Sequence, residues 1–433
     1  MTPTAHSDSP APRVVLAAHA AHAVFAVPAA HAVLAVPAAR AVFAAALPAV
    51  FAAALLGALA PPLAAQSALL PGKSRLDPRA PSVGVGVDGR VVVTFVDDTT
   101  IHACISTDGG TTFGDPETVS KEKALMAAGP RRPRVAVTPA GIVVTAISGA
   151  KLKGQDGDLN AWFSADGARW ARKVRVPDVA DAALEGLHGM AAGPGDRVVA
   201  VWLDHREGKR NHHVRAAASD DGGRTWADDV LVYASPDGAV CPCCTPSVVV
   251  DHEGRAHAMW RNDLDGNRDM YVATSDARVS AFGAPRAVDA ASWALRQCPM
   301  QGGEMAVDAK GAIEAVWFHK GRVLRASLDA DGRPGAPGTL ATGRDAGIAA
   351  GPEGVTRLHV DGDRLVISTE PDADPELEAA PARREPAAAL TFTGRNPMLA
   401  GAPDGRGPVV LFYESDEDGA GRIQVVAIQP RAP

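Results

Sequence analysis

Four of the five cysteines in this 433-residue chain fall in two short segments. Cys241, Cys243 and Cys244 form the run Cys-Pro-Cys-Cys, and a proline follows Cys298 as it follows Cys241. Sulfur ligands at this spacing suit three chemistries, namely disulfide bonds, a soft ion such as copper or zinc, and thiol redox exchange. The run is not a standard zinc motif, so the three interpretations stay open at this point.

Charged and imidazole side chains form three further groups, each after an apolar run. They are residues 204–213, with Asp204, His205 and Arg206; residues 261–269, with Arg261, Asp263 and Arg268; and residues 318–320, with His319. Carboxylates can transfer protons, and guanidinium groups bind carboxylates in pairs of hydrogen bonds. Each arginine also has a nearby aspartate, Asp204, Asp263 or Asp269, that would pair with it in a solvated loop.

A repeated unit of short strands must position these segments. Each unit has an apolar strand, a turn with glycine, and a second strand that reaches a large apolar residue. Those residues are Phe95, Ile147, Trp202, Trp260, Trp317, Val360 and Leu411. Their spacing is typical of four-stranded propeller blades. We predict an all-β propeller of seven four-stranded blades over residues 80–430. Six blades are the alternative, because the last two units are weaker. Residues 371–389 resemble a loop or linker insertion between these two units.

A second repeat, Ser-x-Asp-Gly-Gly-x-Thr-aromatic, predicts a tight turn between strands. It occurs with Ser106, Asp108, Gly110 and Phe113, with Ser219, Asp221, Gly223 and Trp226, and one residue shorter with Ser164, Asp166 and Trp170. The carboxylate can accept backbone N–H bonds, and glycine permits positive φ. The motif resembles the Asp-box, or BNR repeat, of the sialidase superfamily, whose members are β-propellers. The resemblance implies a structural role for these residues.

Propeller geometry places the cysteines and the charged and imidazole candidate residues on one face. Loops that lead into the first strand and loops that join the second and third strands share that face, and the resemblance implies that ligands bind there. Cys241 and Cys298 hold equivalent positions before the first strands of units four and five. A disulfide between them would join neighbouring blades and leave Cys243 and Cys244 as a vicinal pair. A metal site would use the four sulfurs, with His205, His319 or Met300 nearby.

The resemblance also implies a glycosidase, in which three arginines hold a substrate carboxylate, an aspartate is the acid/base, and a tyrosine activated by a glutamate is the nucleophile. The candidates for these roles are Arg206, Arg261 and Arg268, Asp204 or Asp263, and Tyr413. The match is incomplete, because no Phe-Arg-Ile-Pro motif precedes the first Asp-box. In addition, Tyr413 and Glu414 are neighbours in a strand and point in opposite directions.

Residues 1–66 have a different composition from the rest. An apolar run over residues 41–59 follows Arg40 and precedes small residues, which is the arrangement of a secretory signal peptide cleaved near Ala65. A retained membrane anchor is the alternative. Residues 67–79 are predicted to be a linker. The protein would then be secreted or periplasmic, without a stable membrane span after cleavage.

The net charge of −7 argues against a nucleic-acid partner. We therefore predict an exported propeller that binds a carbohydrate or another extracytoplasmic ligand without catalysis, using the face of units three to five. The first alternative is an exo-sialidase-like glycoside hydrolase. The second is a protein that binds copper or zinc through its cysteines.

Overall fold

The computed structural model describes residues 67–69, 76–151, 156–183, 186–208, 211–288, 291–370, 388–417 and 420–428. The predicted leader, residues 1–66, and its cleavage site lie outside these ranges. Within them, no helix has the length and apolar character that crossing a bilayer requires.

The described strands form seven antiparallel sheets, which confirms the prediction of a seven-bladed propeller. Blade one contains Arg79–Val85, Val91–Asp97, Thr100–Ser106 and Glu117–Lys121. Blade two contains Arg134–Thr138, Gly141–Gly149, Asp158–Ser164 and Val174–Arg175 as its four strands, and the short strand Ala124–Leu125 pairs with the end of Gly141–Gly149. Blade three contains His188–Ala192, Val198–Asp204, His213–Ser219 and Val230–Tyr233. Blade four contains Ser247–Val250, Ala256–Arg261, Met270–Thr274 and Arg286–Ala287.

Blades five to seven complete the ring. Blade five contains Gly303–Val307, Ile313–His319, Arg322–Leu328 and Gly338–Thr342. Blade six contains Arg344–Gly351, Gly354–Asp361, Arg364–Glu370 and Ala388–Thr391. Blade seven contains Arg395–Ala400, Val409–Glu417 and Ala420–Ile428, with Ser67–Ala68 as its outer strand.

The large apolar residue of each second strand is buried between two blades. Trp202 packs with Val143 and Leu159 of the preceding blade, and Trp260 packs in the same way against blade three. Phe95 of blade one packs against Phe412 of blade seven, so the same contact closes the ring. A single four-stranded sheet cannot cover both of its faces, and these side chains cover them from the neighbouring blade.

The N-terminal part of the described chain closes blade seven. Ser67 pairs with Val425 and Ala68 with Gln424, and Leu69 is buried beside Phe95. The prediction of a linker over residues 67–79 is therefore wrong at its beginning. The physical reason is edge protection, because the outermost C-terminal strand would otherwise expose its unpaired backbone groups.

The predicted insertion at residues 371–389 also has a different place. It lies between the third and fourth strands of blade six, rather than between the last two units. Its last two residues, 388 and 389, belong to the fourth strand, Ala388–Thr391, and residues 371–387 lie outside the described ranges.

The repeated Ser-x-Asp turns lie between the third and fourth strands, as predicted. In blade three, Asp221 Oδ1 accepts the backbone N–H groups of Arg224 and Thr225 at 2.9 Å, and Oδ2 accepts the Thr225 hydroxyl at 2.6 Å. The Ser219 hydroxyl accepts the N–H of Gly223 at 2.8 Å. Gly223 has φ +91°, and a Cβ there would lie 2.5 Å from Val143 of blade two.

The same contacts recur in the other copies. Asp108 accepts hydrogen bonds from Thr112 in blade one, and the Thr112 hydroxyl lowers the pKa of Asp108 to about 2. Asp166 accepts two backbone N–H groups in blade two. Phe113, Trp170 and Trp226 each pack against a buried cluster. These contacts support a structural role for the turns.

The turn of blade three yields a stability prediction. Replacing Asp221 with alanine removes four hydrogen bonds that its carboxylate accepts and should lower the free energy of unfolding by about 1–3 kcal/mol, measured by urea denaturation. The matched control is Asp228→Ala, an exposed aspartate two residues beyond the turn, which should change stability by less than about 0.5 kcal/mol. Equal effects of the two substitutions would contradict a structural role.

Candidate functional site

The first strands of the seven blades surround an axial channel of about 320 Å³. Aliphatic side chains line it where these strands end, namely Val85, Val137, Val250, Val307, Ala350 and Ala402. Polar side chains line it where the strands begin, namely Arg132, Arg134, Gln301, Glu304, Asp345 and Asn396. The channel therefore has an apolar end and a polar mouth, which we define by the six polar residues.

Two guanidinium groups dominate the polar mouth. Arg132 is buried and donates to the carbonyl oxygens of Pro81 and Gly129, at 3.0 and 3.3 Å, while its Nε has no hydrogen-bond partner. Arg134 donates through Nε to the carbonyl of His188 at 3.1 Å. Among the described residues, no carboxylate lies within ion-pair distance of either arginine. Burial and the charge of Arg132 lower the pKa of Arg134 to about 10.

Glu304 is the acidic counterpart in the mouth. Burial raises the pKa of Glu304 to about 7, although the positive charges of Arg134 and Arg132 act in the opposite direction. Burial also raises the pKa of Asp345, against the effect of its ion pair with Arg344. At neutral pH the mouth thus holds two charged guanidinium groups, the partly protonated carboxyl group of Glu304, and Asp345, which is paired with Arg344.

Bulged backbone shapes the mouth in three blades. Ala80, Asp345 and Asn396 have φ values of 51–54°, and each follows an arginine at the start of a first strand. The register with the second strand shifts at each of these positions. Positive φ is uncommon outside glycine, and bulges of this kind are frequent beside binding sites because they change where a strand's side chains point.

The predicted candidates in blade three form an internal ion-pair network. Arg206 contacts Asp204, Asp229 and Asp178 at 2.9, 2.7 and 3.0 Å. The Asp204 and Asp229 side chains have no exposed surface, and the Trp202 indole donates to Asp204 at 2.9 Å. These residues hold loop segments of blade three together.

The remaining predicted candidates are also engaged within the protein. Arg261 is buried and donates to the carbonyls of Gln301, Arg268 and Phe318 at 3.0, 2.6 and 2.8 Å. Arg268 pairs with Asp263 at 2.7 Å. Tyr413 is buried against Phe392.

The axial channel is lined by none of the six predicted catalytic candidates Asp204, Arg206, Arg261, Asp263, Arg268 and Tyr413. The structure thus brings Arg132 and Arg134 to the axis, whereas the arginines chosen from the sequence bind protein groups.

The four cysteines come together, as the equivalence of the two segments predicted. All four sulfur atoms lie within 4.8 Å of one another. The disulfide joins Cys243 to Cys298, so the predicted pairing of Cys241 with Cys298 and the vicinal pair are wrong. Cys241 faces inward, where its N–H donates to the carbonyl of Arg261, and its thiol stays free.

The two free thiols of the cluster interact with each other. Cys244 Sγ lies 3.3 Å from Cys241 Sγ. This hydrogen bond lowers the pKa of Cys241 to about 6 and raises the pKa of Cys244. Cys104, in contrast, is buried in a strand, where burial raises its pKa to about 12.

The predicted helper residues have other neighbours. His205 packs against His212, and His319 packs against Trp293. Met300 contributes its backbone N–H to Cys298 Sγ at 3.3 Å, while half of its side chain is exposed. In the described part of the chain, the metal-ligating group comprises the cysteines alone.

Arg132, Arg134 and Glu304 were not predicted as site residues. The available signal was their position, because Arg132-Pro-Arg134 and Glu304 stand at the starts of first strands, as the cysteines nearly do. The sequence favoured the loops after the second strands as the site, since these loops contain more charged residues.

The comparison with known proteins found similar solved structures but no matching family or curated sequence. No protein-family model matches the sequence, and no curated protein matches it. Similar solved structures include a Penicillium chrysogenum α-L-arabinanase, with 12% identity, TM-score 0.45, and coverage of 84% of this chain and 97% of that one. A leech intramolecular trans-sialidase has 12% identity, TM-score 0.46, and coverage of 84% and 69%.

A third similar structure is the intramolecular trans-sialidase of Ruminococcus gnavus, with 12% identity, TM-score 0.44, and coverage of 84% and 99%. At this identity the likeness concerns the propeller and says nothing about activity or ligand.

The network around Arg206 yields a second prediction. Arg206→Ala leaves the buried Asp204 carboxylate without its arginine partner and Asp229 with Arg215 alone, and should cost about 3–5 kcal/mol of stability in urea unfolding. Arg322→Ala, which removes an exposed arginine, is the control and should be nearly neutral. Unchanged stability of the Arg206 variant would return this residue to the ligand-binding candidates.

Proposed function

We propose that this protein binds an anionic ligand, without catalysis, at the polar mouth of the axial channel. The observation that carries the proposal is the pair Arg132 and Arg134, which are charged and enclosed but lack a carboxylate partner among the described residues. A buried charge without a counter-charge is costly, so an anion that reaches both groups gains from their preorganisation. Guanidinium groups bind carboxylates through paired hydrogen bonds.

The channel favours a small ligand with several hydroxyl groups. Its volume of about 320 Å³ is at the lower end of ligand pockets, which span about 300–1,000 Å³. Gln301, Asn396 and Asp345 add amide and carboxyl groups beside the arginines, and these can exchange hydrogen bonds with hydroxyls. A sugar acid combines both features. The predicted signal peptide would place the encounter outside the cytoplasm, and the sialidase-like turns are consistent with a carbohydrate ligand.

Binding should depend on Arg134 and on pH. In titration calorimetry with N-acetylneuraminate and glucuronate, Arg134→Ala should weaken binding at least about tenfold, since it removes a charge-assisted contact. Neutral galactose should bind more weakly than the acids. Affinity should fall as pH rises through about 7, because Glu304 then gains a negative charge that repels the ligand. Glu304→Gln should flatten this dependence.

The control for this experiment is Arg333→Ala, which removes an exposed arginine of blade five that lies outside the channel. It should leave the affinity unchanged. Equal binding of acids and galactose, or equal affinity of the Arg134 and Arg333 variants, would exclude the polar mouth as an anion site.

A glycoside hydrolase is the second candidate, and Glu304 is the observation that favours it. A carboxyl group with a pKa near 7 suits a general acid at neutral pH. A nucleophile of the sialidase type is not supported by the contacts, because Tyr413 packs in the core against Phe392.

We therefore expect no turnover of a fluorogenic sialoside by the purified protein. Fluorescence release is measured against a buffer blank and an Arg333→Ala sample. Turnover that is lost in Glu304→Gln and retained in Arg333→Ala would replace the binding proposal with the glycosidase.

A further inference from the structure

The four-sulfur cluster, defined as Cys241, Cys243, Cys244 and Cys298, has the dimensions of a tetrahedral metal site. Cys241 Sγ lies 3.8, 3.3 and 3.7 Å from the sulfurs of Cys243, Cys244 and Cys298, and Cys244 Sγ lies 3.9 Å from that of Cys298. An ion with four bonds of about 2.3 Å to sulfur requires sulfur atoms about 3.8 Å apart. Four of the six pairs of sulfur atoms are thus near this spacing, and Cys243 and Cys298 are joined in the disulfide.

The four-sulfur cluster lies beside a positive charge, that of Arg261, which an anion would balance. Arg261 is buried, and it donates hydrogen bonds to three neutral carbonyl oxygens. Within the described part of the chain, no carboxylate is within ion-pair distance of it. Arg261 and Arg268 both act electrostatically on Cys241, and Arg268 shares its charge with Asp263. A cluster of thiolates around one divalent ion carries a net negative charge that would balance Arg261.

A backbone N–H group points at one of the sulfurs. Met300 donates to Cys298 at 3.3 Å. Donors around ligating atoms orient the ligands of metal sites and stabilise their charge. A disulfide alone does not need this group, because its sulfurs carry no charge.

We propose that Cys241, Cys243, Cys244 and Cys298, in the reduced protein, bind one zinc(II) ion as a tetrahedral tetrathiolate. Four thiols release four protons when the ion binds. The Cys243–Cys298 disulfide is the oxidised alternative of the same site. A phosphine reductant and water convert that disulfide into two thiols and a phosphine oxide, so the step balances with the added phosphine as the electron donor.

The sulfur count favours zinc over copper(I) and other soft ions. Four sulfurs near tetrahedral spacing match the closed, four-coordinate geometry of structural zinc sites. The site lies beside the polar mouth, because Thr245 and Gln301 line the channel and flank the cysteines in sequence. A bound ion would therefore fix the starts of the first strands of blades four and five, independently of any ligand in the channel.

The test uses cobalt(II) as a spectroscopic probe for zinc. The full chain is reduced with phosphine without oxygen, stripped with a chelator and titrated with cobalt(II). We expect one ion per chain, with the intense visible absorption of a tetrahedral tetrathiolate, displaced by one equivalent of zinc. Cys244→Ser should weaken binding at least about tenfold. Cys104→Ser removes the buried cysteine of blade one and should change nothing.

The outcomes separate the site from its alternatives. Unreduced protein should bind no cobalt, because two ligands are in the disulfide. Reduced, folded wild-type protein with five titratable thiols that binds no cobalt, or binds it with the pale octahedral spectrum, would overturn the proposal. Binding of copper(I) with exclusion of zinc and cobalt would also overturn it. Sugar-acid binding is measured separately, so failure of one proposal leaves the other intact.

Discussion

Burial of apolar side chains between adjacent blades is the constraint on which this structure depends. Trp202, Trp260 and Trp317 have no exposed surface and pack against the blade before their own. Burying such a side chain contributes roughly 4–6 kcal/mol, as an upper estimate from 150–250 Å² of area. Because adjacent blades cover one another's apolar faces, a closed ring buries the faces that a single sheet would expose.

Closure of the ring determines what lies on its axis. The first strands converge with their beginnings at one end, so the residues that begin these strands share one small volume even though they are far apart in the chain. Arg132 of blade two, Glu304 of blade five and Asn396 of blade seven meet there. Their enclosure, more than their chemical type, sets their properties, since burial raises the pKa of Glu304 and lowers that of Arg134.

Arginines without an internal counter-charge lie at two places near the beginnings of the first strands. One comprises Arg132 and Arg134 at the channel mouth, and the other is Arg261 beside the cysteines. In contrast, Arg206 is surrounded by aspartates and is neutralised within the protein. Arginines without an internal counter-charge therefore mark where an external anion or a thiolate cluster would be stabilised, whereas paired arginines stabilise the fold.

Local patterns in the sequence were sufficient to predict the strands, the turns and the number of blades. The period of apolar residues and the Ser-x-Asp-Gly turns act over fewer than about ten residues, so their consequences can be inferred without coordinates. The equivalence of Cys241 and Cys298 was likewise sufficient to predict that the cysteines meet, because equivalent positions of adjacent blades are neighbours.

Tertiary structure alone decided the partners and the environment of each side chain. Cys243 forms the disulfide with Cys298, although Cys241 Sγ also lies 3.7 Å from Cys298 Sγ. Ser67 and Ala68 complete blade seven through a pairing with residues at the other end of the chain. Arg132 faces the axis while Arg206 meets aspartates, and residue type does not distinguish them. Pairing, burial and charge balance depend on contacts between distant segments, which a local pattern does not encode.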